Sequence, residues 1–447
     1  MRCGDRPAWL AGIAAILLAL LFGAAPAAAL PRDDGTHLGV ATCAGSNCHG
    51  AVQRSKGSYV AQNEYLIWSQ KDKHSKAFTV LRDKLALRIA HNLGLPDAEH
   101  QQICLNCHTD NVPPAQRGPR FLLSDGVGCE ACHGGSVKWL GLHVSGATHQ
   151  QNLAAGLYPT DEPLPRAKLC ESCHVGEPGD FATHRIMGAG HPPIGFELDT
   201  YTAIQPAHYT VDAAYIKRKG RPNDIQIWAV GQAEDLIKRM DLVLDPKNAP
   251  KGVNPELALF DCQACHHAMN RLQWRARADT GLGPGKLRLY DASAVMLRLV
   301  AARVAPDAGT ALATHLLALH RATEAASPDY WANVQHEAAA LRQTAEVLMP
   351  ILTKHDFARD DALALAKAVV AAGTGGTDLD YSGAQQETMA LESVVAAMKA
   401  FGYANDAQIK ALNGALDGLY SAVAADHPYD PDRFVAALRA VGAQLPQ

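Results

Sequence analysis

Five short segments dominate what this chain can do chemically, and each holds two cysteines followed at once by a histidine. Four of them keep two residues between the thiols: Cys104-Leu-Asn-Cys107-His108, Cys129-Glu-Ala-Cys132-His133, Cys170-Glu-Ser-Cys173-His174 and Cys262-Gln-Ala-Cys265-His266. The first in the chain, Cys43-Ala-Gly-Ser-Asn-Cys48-His49, keeps four. Two thiols so spaced can form thioethers to the vinyl groups of one porphyrin, and the adjoining imidazole can bond its iron. The longer loop of the first segment can still present both sulfurs and the ring. The implied cofactors are five haem c groups, with His49, His108, His133, His174 and His266 as proximal iron ligands.

Zinc is the competing use of Cys and His, but it takes four ligands from paired half-sites, whereas each unit here is self-contained. Redox-active thiols need a thioredoxin-like strand and helix around them, and the flanking sequence offers none. Of the eleven cysteines, only Cys3 lies outside the five motifs, so none remains for a structural disulfide.

Cys3 belongs to a segment with its own meaning. Arg2 and Arg6 precede an apolar run from Trp9 to Phe22, then Pro26 and Ala27, Ala28 and Ala29. Basic, apolar and small-residue regions in that order are the layout of a secretory signal peptide, with cleavage expected after Ala29. The expected location is the periplasm. An uncleaved anchor is the alternative, but the run is short for a bilayer span. No other stretch is apolar enough to cross a membrane, so no membrane span is expected in the mature chain.

The formal charge of -4, with acidic and basic residues interleaved, gives no reason to expect nucleic acid or an anionic surface as partner. The densest basic run, Lys217, Arg218, Lys219 and Arg221, reads as a solvated loop or as a docking patch for an acidic redox protein. Arg271, Arg275 and Arg277 could pair with haem propionates or lie free on the surface.

The elements that must hold these groups fall into two parts. Residues 30–285 are rich in Gly and Pro and show little sustained helical or strand period, which suits a domain whose core is cofactor. Gly281-Leu-Gly-Pro-Gly285 reads as a linker or turn. Residues 286–447 are rich in Ala and Leu, with helical spacing such as Ile409, Leu412, Leu416, Leu419 and Val423. Asp430 with Pro431 and Asn405 with Gln408 look like helix starts, and Gly402 like a helix end. Six or seven helices from about Leu287 are expected to form an antiparallel bundle. The fold expected is therefore mainly α: a signal peptide over 1–29, an irregular multihaem cytochrome c domain over 30–285, and a helical bundle over 286–447. The bundle histidines, 315, 320, 336, 355 and 427, are expected to be ordinary packed or surface residues.

Ten histidines outside the motifs lie between residues 30 and 285, at 37, 74, 91, 100, 143, 149, 184, 191, 208 and 267. Ten candidates for five distal positions leave open whether any iron keeps a vacant face. Met187 and Met269 are read as packing residues rather than ligands, and His267 as pointing away from the haem of its neighbour His266.

Four segments in order resemble the tetrahaem cytochrome c-554 family, the electron acceptors of hydroxylamine oxidoreductase. They are the first motif with Trp68 and Lys73-His74-Ser-Lys-Ala77, then Cys104 to His108, then Gly126-Val-Gly-Cys-Glu-Ala-Cys-His-Gly134 with His143, then Cys170 to His174. The resemblance spans about residues 40–175. It implies His74 as distal ligand to the His133 haem, His143 as distal ligand to the His49 haem, and an open face on the His108 haem. The longer first motif, the fifth haem and the C-terminal bundle depart from that family. The stretch from His184 through His191 to His208-Tyr209 looks like a segment of longer multihaem members, and by spacing His184, His191 and His208 are the distal candidates for the fourth and fifth haems.

The function expected is electron transfer between a donor and an acceptor protein. The alternative is an oxidoreductase acting on a small inorganic nitrogen or sulfur compound at one five-coordinate haem, with His91, His100, Tyr209 or Arg185 as proton donor. The C-x-x-C-K motif of pentahaem nitrite reductases is absent. A third class is a haem-bearing scaffold docked through its bundle.

Overall fold

The computed structural model describes residues 35–54, 60–251, 254–267, 277, 286–325, 327–377, 379–425 and 429–446. The expected signal peptide, the 281–285 linker, Met269, Arg271, Arg275 and His427 lie outside these residues. Among the described residues the chain is mainly helical and forms no strand, only isolated bridges such as Phe260 with Leu289. No described helix is long and apolar enough to cross a membrane.

Among the described residues eleven α-helices precede residue 286: α1 Glu64–Lys71, α2 Lys84–Leu93, α3 Gln102–His108, α4 Cys129–His133, α5 Leu140–Val144, α6 His149–Ala154, α7 Pro163–His174, α8 His184–Gly188, α9 Leu198–Ile204, α10 Ala213–Lys219 and α11 Asp224–Leu244. Most are short. Seven follow: α12 Ala292–Val304, α13 Pro306–Glu324, α14 Tyr330–Leu352, α15 Arg359–Thr374, α16 Tyr381–Ala400, α17 Asp406–Ala422 and α18 Pro431–Gln444. Consecutive members of this second set pack side by side except α14 and α15; α15 packs instead against α12, α16 and α18.

Local chemistry explains their ends. Asn405 and Gln408 exchange side-chain and backbone hydrogen bonds in a capping box at the start of α17. Asp430 accepts from the amides of Asp432 and Arg433, with Pro431 at the first position of α18. Gly402, at φ 69°, ends α16 where a side chain would be strained.

Apolar burial is divided unevenly. One small cluster, Phe78, Leu81, Ala86, Ala90, Ala98 and Leu105, sits in the first part of the chain. The main core runs without a break from Ala167 to Val441. Its centre is α11, which packs against α7 and α9 on one side and α12, α14 and α16 on the other. The core therefore crosses the expected boundary between residues 285 and 286. The helix itself is unexpected from sequence. Ile225, Trp228, Val230, Ala233, Leu236, Met240 and Val243 are all buried, and so are Gln232, Glu234 and Asp235. A helix covered on nearly every side carries no polar stripe, so its period is weak in the sequence.

A buried ionic cluster fastens the fifth cysteine motif to this core. Asp261, immediately before Cys262, caps the turn Cys262–Ala264 and donates its own amide to the Arg288 carbonyl at 2.8 Å. The Arg288 guanidinium pairs with Asp380, lies 3.5 Å from Asp261 and 3.8 Å from Asp291. Asp291 also takes Arg277 Nη1 at 2.6 Å and faces His320 Nε2 at 2.8 Å. Burial, then the charge of Asp380, pushes the Asp261 carboxyl up to about 7. Removing one partner of such a cluster strands its counter-charges out of water. Arg288→Met is therefore expected to cost about 3–5 kcal/mol in denaturant unfolding.

Glu387 on α16 is wholly buried, and neither carboxyl oxygen has a hydrogen-bond partner. Burial, then the charge of Asp380, pushes its carboxyl well above the usual range. The folded chain then keeps a proton that the unfolded chain releases above about pH 4, so the contribution of this site is greatest in acid and falls as pH rises. Glu387→Gln is expected to raise the denaturation midpoint at pH 8 and to leave it almost unchanged at pH 4.

Candidate functional site

Three motifs close a helix: His108, His133 and His174 are the last residues of α3, α4 and α7. In a helix, residues i and i+3 share a face, so a C-x-x-C pair projects both sulfurs to one side with the imidazole one residue on. The fifth motif keeps the same closure in a tighter turn, His266 donating its amide to the Cys262 carbonyl at 2.7 Å. The first motif reaches it by another route. Its two extra residues are taken up in a turn, and the His49 amide returns to the Cys43 carbonyl at 3.2 Å. Gly50 makes room for that return, because a Cβ there would lie 2.1 Å from the Ala44 carbonyl oxygen.

Outside the motifs, the histidine rings stand in facing positions. His49 faces His143 with ring centres 6.0 Å apart, His74 faces His174 at 6.3 Å, His108 faces His191 at 6.4 Å, and His184 faces His266 at 6.3 Å. A first-row metal bonds an imidazole nitrogen at about 2 Å, and that nitrogen lies about 1.1 Å from its ring centre, so two rings across one metal are about 6 Å apart. The four separations fit that arrangement. A zinc centre would instead gather four ligands, and among the described residues no group of three or more His, Cys, Asp or Glu converges on one point.

The second ring nitrogen is held in several of these imidazoles. Nδ1 of His108 donates to the Ala77 carbonyl and Nδ1 of His191 to the Pro192 carbonyl, both at 2.8 Å. Nδ1 of His49 lies 2.9 Å from Glu64 Oε2, and Nδ1 of His74 lies 2.8 Å from Asp72 Oδ1. Such outer partners fix the tautomer and turn Nε2 toward a metal. Burial keeps His108 and His143 below their ordinary pKa and pushes His133 and His174 down to about 4, which favours the neutral, ligating form. His49 is raised by its bond to Glu64. Burial pushes the Cys170 thiol up to about 11, opposite to what a redox-active thiolate needs.

Apolar side chains fit a large flat cofactor as well. Among the described residues seventeen large apolar side chains are exposed, and thirteen of them precede residue 286. Leu142 and Val144 flank His143, Ile103 adjoins Cys104, Ile194 follows His191, and Ile204 and Tyr209 bracket His208. Apolar surface gathered around the rings is what a porphyrin face would cover.

The pairing differs from the family expectation in two places. The resemblance implies that His74 serves His133, yet the ring opposite His74 belongs to His174. It also implies an open face beside His108, yet His191 stands there. His133 pairs with no ring at this spacing among the described residues; the charge of His208 is the largest of its neighbouring influences after burial. Three bundle histidines meet carboxylates: His315 bonds Glu337, His320 meets Asp291 and His355 meets Asp361. The candidate proton donors have partners of their own. His100 bonds Asp97 at the surface, Arg185 donates to the Leu93 carbonyl at 3.0 Å, and Tyr209 stacks on Tyr215. Arg277 is engaged with Asp291, and Lys219 with Asp161 at 2.7 Å.

One functional residue escaped sequence reading. Glu130, between the thiols of the third motif, is 3% exposed and accepts three backbone amides: Leu38 at 2.8 Å, Gly39 at 2.7 Å and Ser136 at 2.7 Å. It clamps the segment leading into the first motif against the third. Nearby, Gly126 at φ 73° lets the next amide, of Val127, donate to the His74 carbonyl at 3.0 Å, while Trp68 Nε1 donates to the Val127 carbonyl at 2.9 Å. These contacts account physically for the Gly126 to Gly134 segment.

Residues 42–134 match the family described as Cytochrome c554 and c-prime, less than half of the 447-residue chain. This match supports a c-type cytochrome with haem c as cofactor and a part in electron transfer. No curated protein and no solved structure matches it. Replacing Glu130 with Ala leaves three buried amides without an acceptor. Glu130→Ala is expected to destabilise the protein by roughly 3 kcal/mol or more, measured by denaturant unfolding.

Proposed function

We propose that this chain is an exported, periplasmic cytochrome that carries five haem c groups and passes electrons from a donor protein to an acceptor protein. The thioether cysteines are Cys43 and Cys48, Cys104 and Cys107, Cys129 and Cys132, Cys170 and Cys173, and Cys262 and Cys265. The axial pairs are His49 with His143, His174 with His74, His108 with His191, His266 with His184, and His133 with His208.

The observation that carries this reading is the recurrence of one separation, 6.0 to 6.4 Å, in four pairs that each combine one motif histidine with one outside. Chance contacts would not select a motif ring on one side every time. The haem supplies reversible one-electron chemistry when bound. The polypeptide supplies neutral imidazoles, fixes their rotation through Glu64, Asp72 and two carbonyls, and surrounds them with apolar side chains. Two imidazoles per iron favour electron transfer over small-molecule chemistry, because neither face is left for a substrate. Residues 30–285 form the haem-binding part and 286–447 the helical part built onto it.

Intact-protein mass spectrometry of the mature chain is expected to show five added haems. Its electron paramagnetic resonance spectrum is expected to be wholly low-spin. His191→Ala should then convert one haem of five to a high-spin form that binds nitric oxide; a native protein already high-spin at one haem would sink the carrier reading in favour of an enzyme.

A further inference from the structure

Asp72 is 3% exposed, and each of its two oxygens has a separate task. Oδ1 accepts the His74 amide at 3.0 Å and meets the His74 ring Nδ1 at 2.8 Å. Oδ2 accepts Gln205 Nε2 at 2.9 Å and lies 3.3 Å from Nε2 of His208. The two imidazoles come from distant parts of the chain and look in different directions. The ring of His74 faces that of His174, whereas His208 is the imidazole assigned above to the His133 haem.

The other carboxylate beside a paired ring, Glu64, meets a single imidazole, that of His49. An ionised carboxylate accepts several hydrogen bonds at once, and one anion between two imidazoles orients both and makes both more electron-donating. Gln205 donates to Oδ2 and comes from the same segment as His208, so the chain after α9 is hydrogen-bonded to Asp72 at Gln205 and brings His208 Nε2 to ion-pair distance, which leaves His208 Nδ1 as the nitrogen for iron.

We propose that Asp72 is a positioning residue shared by two haem sites, holding His74 on the His174 side and His208 on the His133 side through one buried negative charge. This rests on the axial pairs proposed above, and it goes beyond them by making two sites respond together to a residue that ligates neither.

The test is Asp72→Asn in the full-length haem-loaded protein, followed by optical redox titration and electron paramagnetic resonance. Glu64→Gln serves as comparison, and His74→Ala and His208→Ala each mark one haem by a high-spin signal. Loss of the charge is expected to raise two of five midpoint potentials, those marked by His74→Ala and His208→Ala, and to leave three in place. Glu64→Gln is expected to move one. A shift confined to one haem in Asp72→Asn, a shift of all five, or none overturns the proposal. Should that variant fail to accumulate, Asp72→Glu keeps the charge and moves it, and the same two potentials alone should respond. Failure of the underlying reading shows separately, as a native protein with fewer than five haems or as His74→Ala and His208→Ala producing no new high-spin signal.

Discussion

The constraint on which the rest depends is the short backbone closure within each cysteine motif. A histidine amide returning to the carbonyl of the first cysteine sets two sulfurs and one ring in a fixed relation, whatever the surrounding sequence does. Helices α3, α4 and α7 achieve it by ending on the histidine, the fifth motif by a tighter turn, and the first by folding its extra residues out of the way. On the axial pairs proposed above, the remaining task of the first half is to deliver a second imidazole to the far side of each porphyrin. The short helices, buried carboxylates and carbonyl partners of Nδ1 serve that task.

This explains why the two halves of the chain look so different. The C-terminal helices bury leucine, valine and alanine in a continuous core, the usual source of folding free energy. The first part of the chain has a separate small core of six buried side chains, three of them leucine-sized or larger, and leaves apolar residues exposed near its histidines. Its order comes from charged and polar clamps: Glu130 on three amides, Asp72 on two rings, and the Arg288 cluster at the fifth motif. Clamps of this kind contribute less than burial and demand better geometry, which is why their loss is costly.

What could be read from the sequence follows the range of the interaction. Thioether cysteines and their neighbouring histidines are local patterns, legible because the chemistry fixes their spacing. The caps at Asn405 and Asp430 are local too. The facing of His74 with His174, or of His108 with His191, depends on how segments a hundred or eighty residues apart come together, and no spacing rule carries that. Resemblance to a four-haem family implies His133 for His74 and an open His108, whereas the rings that stand opposite these two are His174 and His191. The helix α11 was hidden for a different reason: burial on all sides removes the polar face by which a helix announces itself.

The continuity of the core through α11 bears on how such a protein can change over time. Trp228, Leu236 and Met240 are covered partly by α7 and α9, which belong with the histidine-bearing segments, and partly by α12, α14 and α16. A recombination that fused the first half to some other partner would uncover these side chains, so the two halves are bound to be inherited together, and substitutions on one face of α11 must be answered on the other.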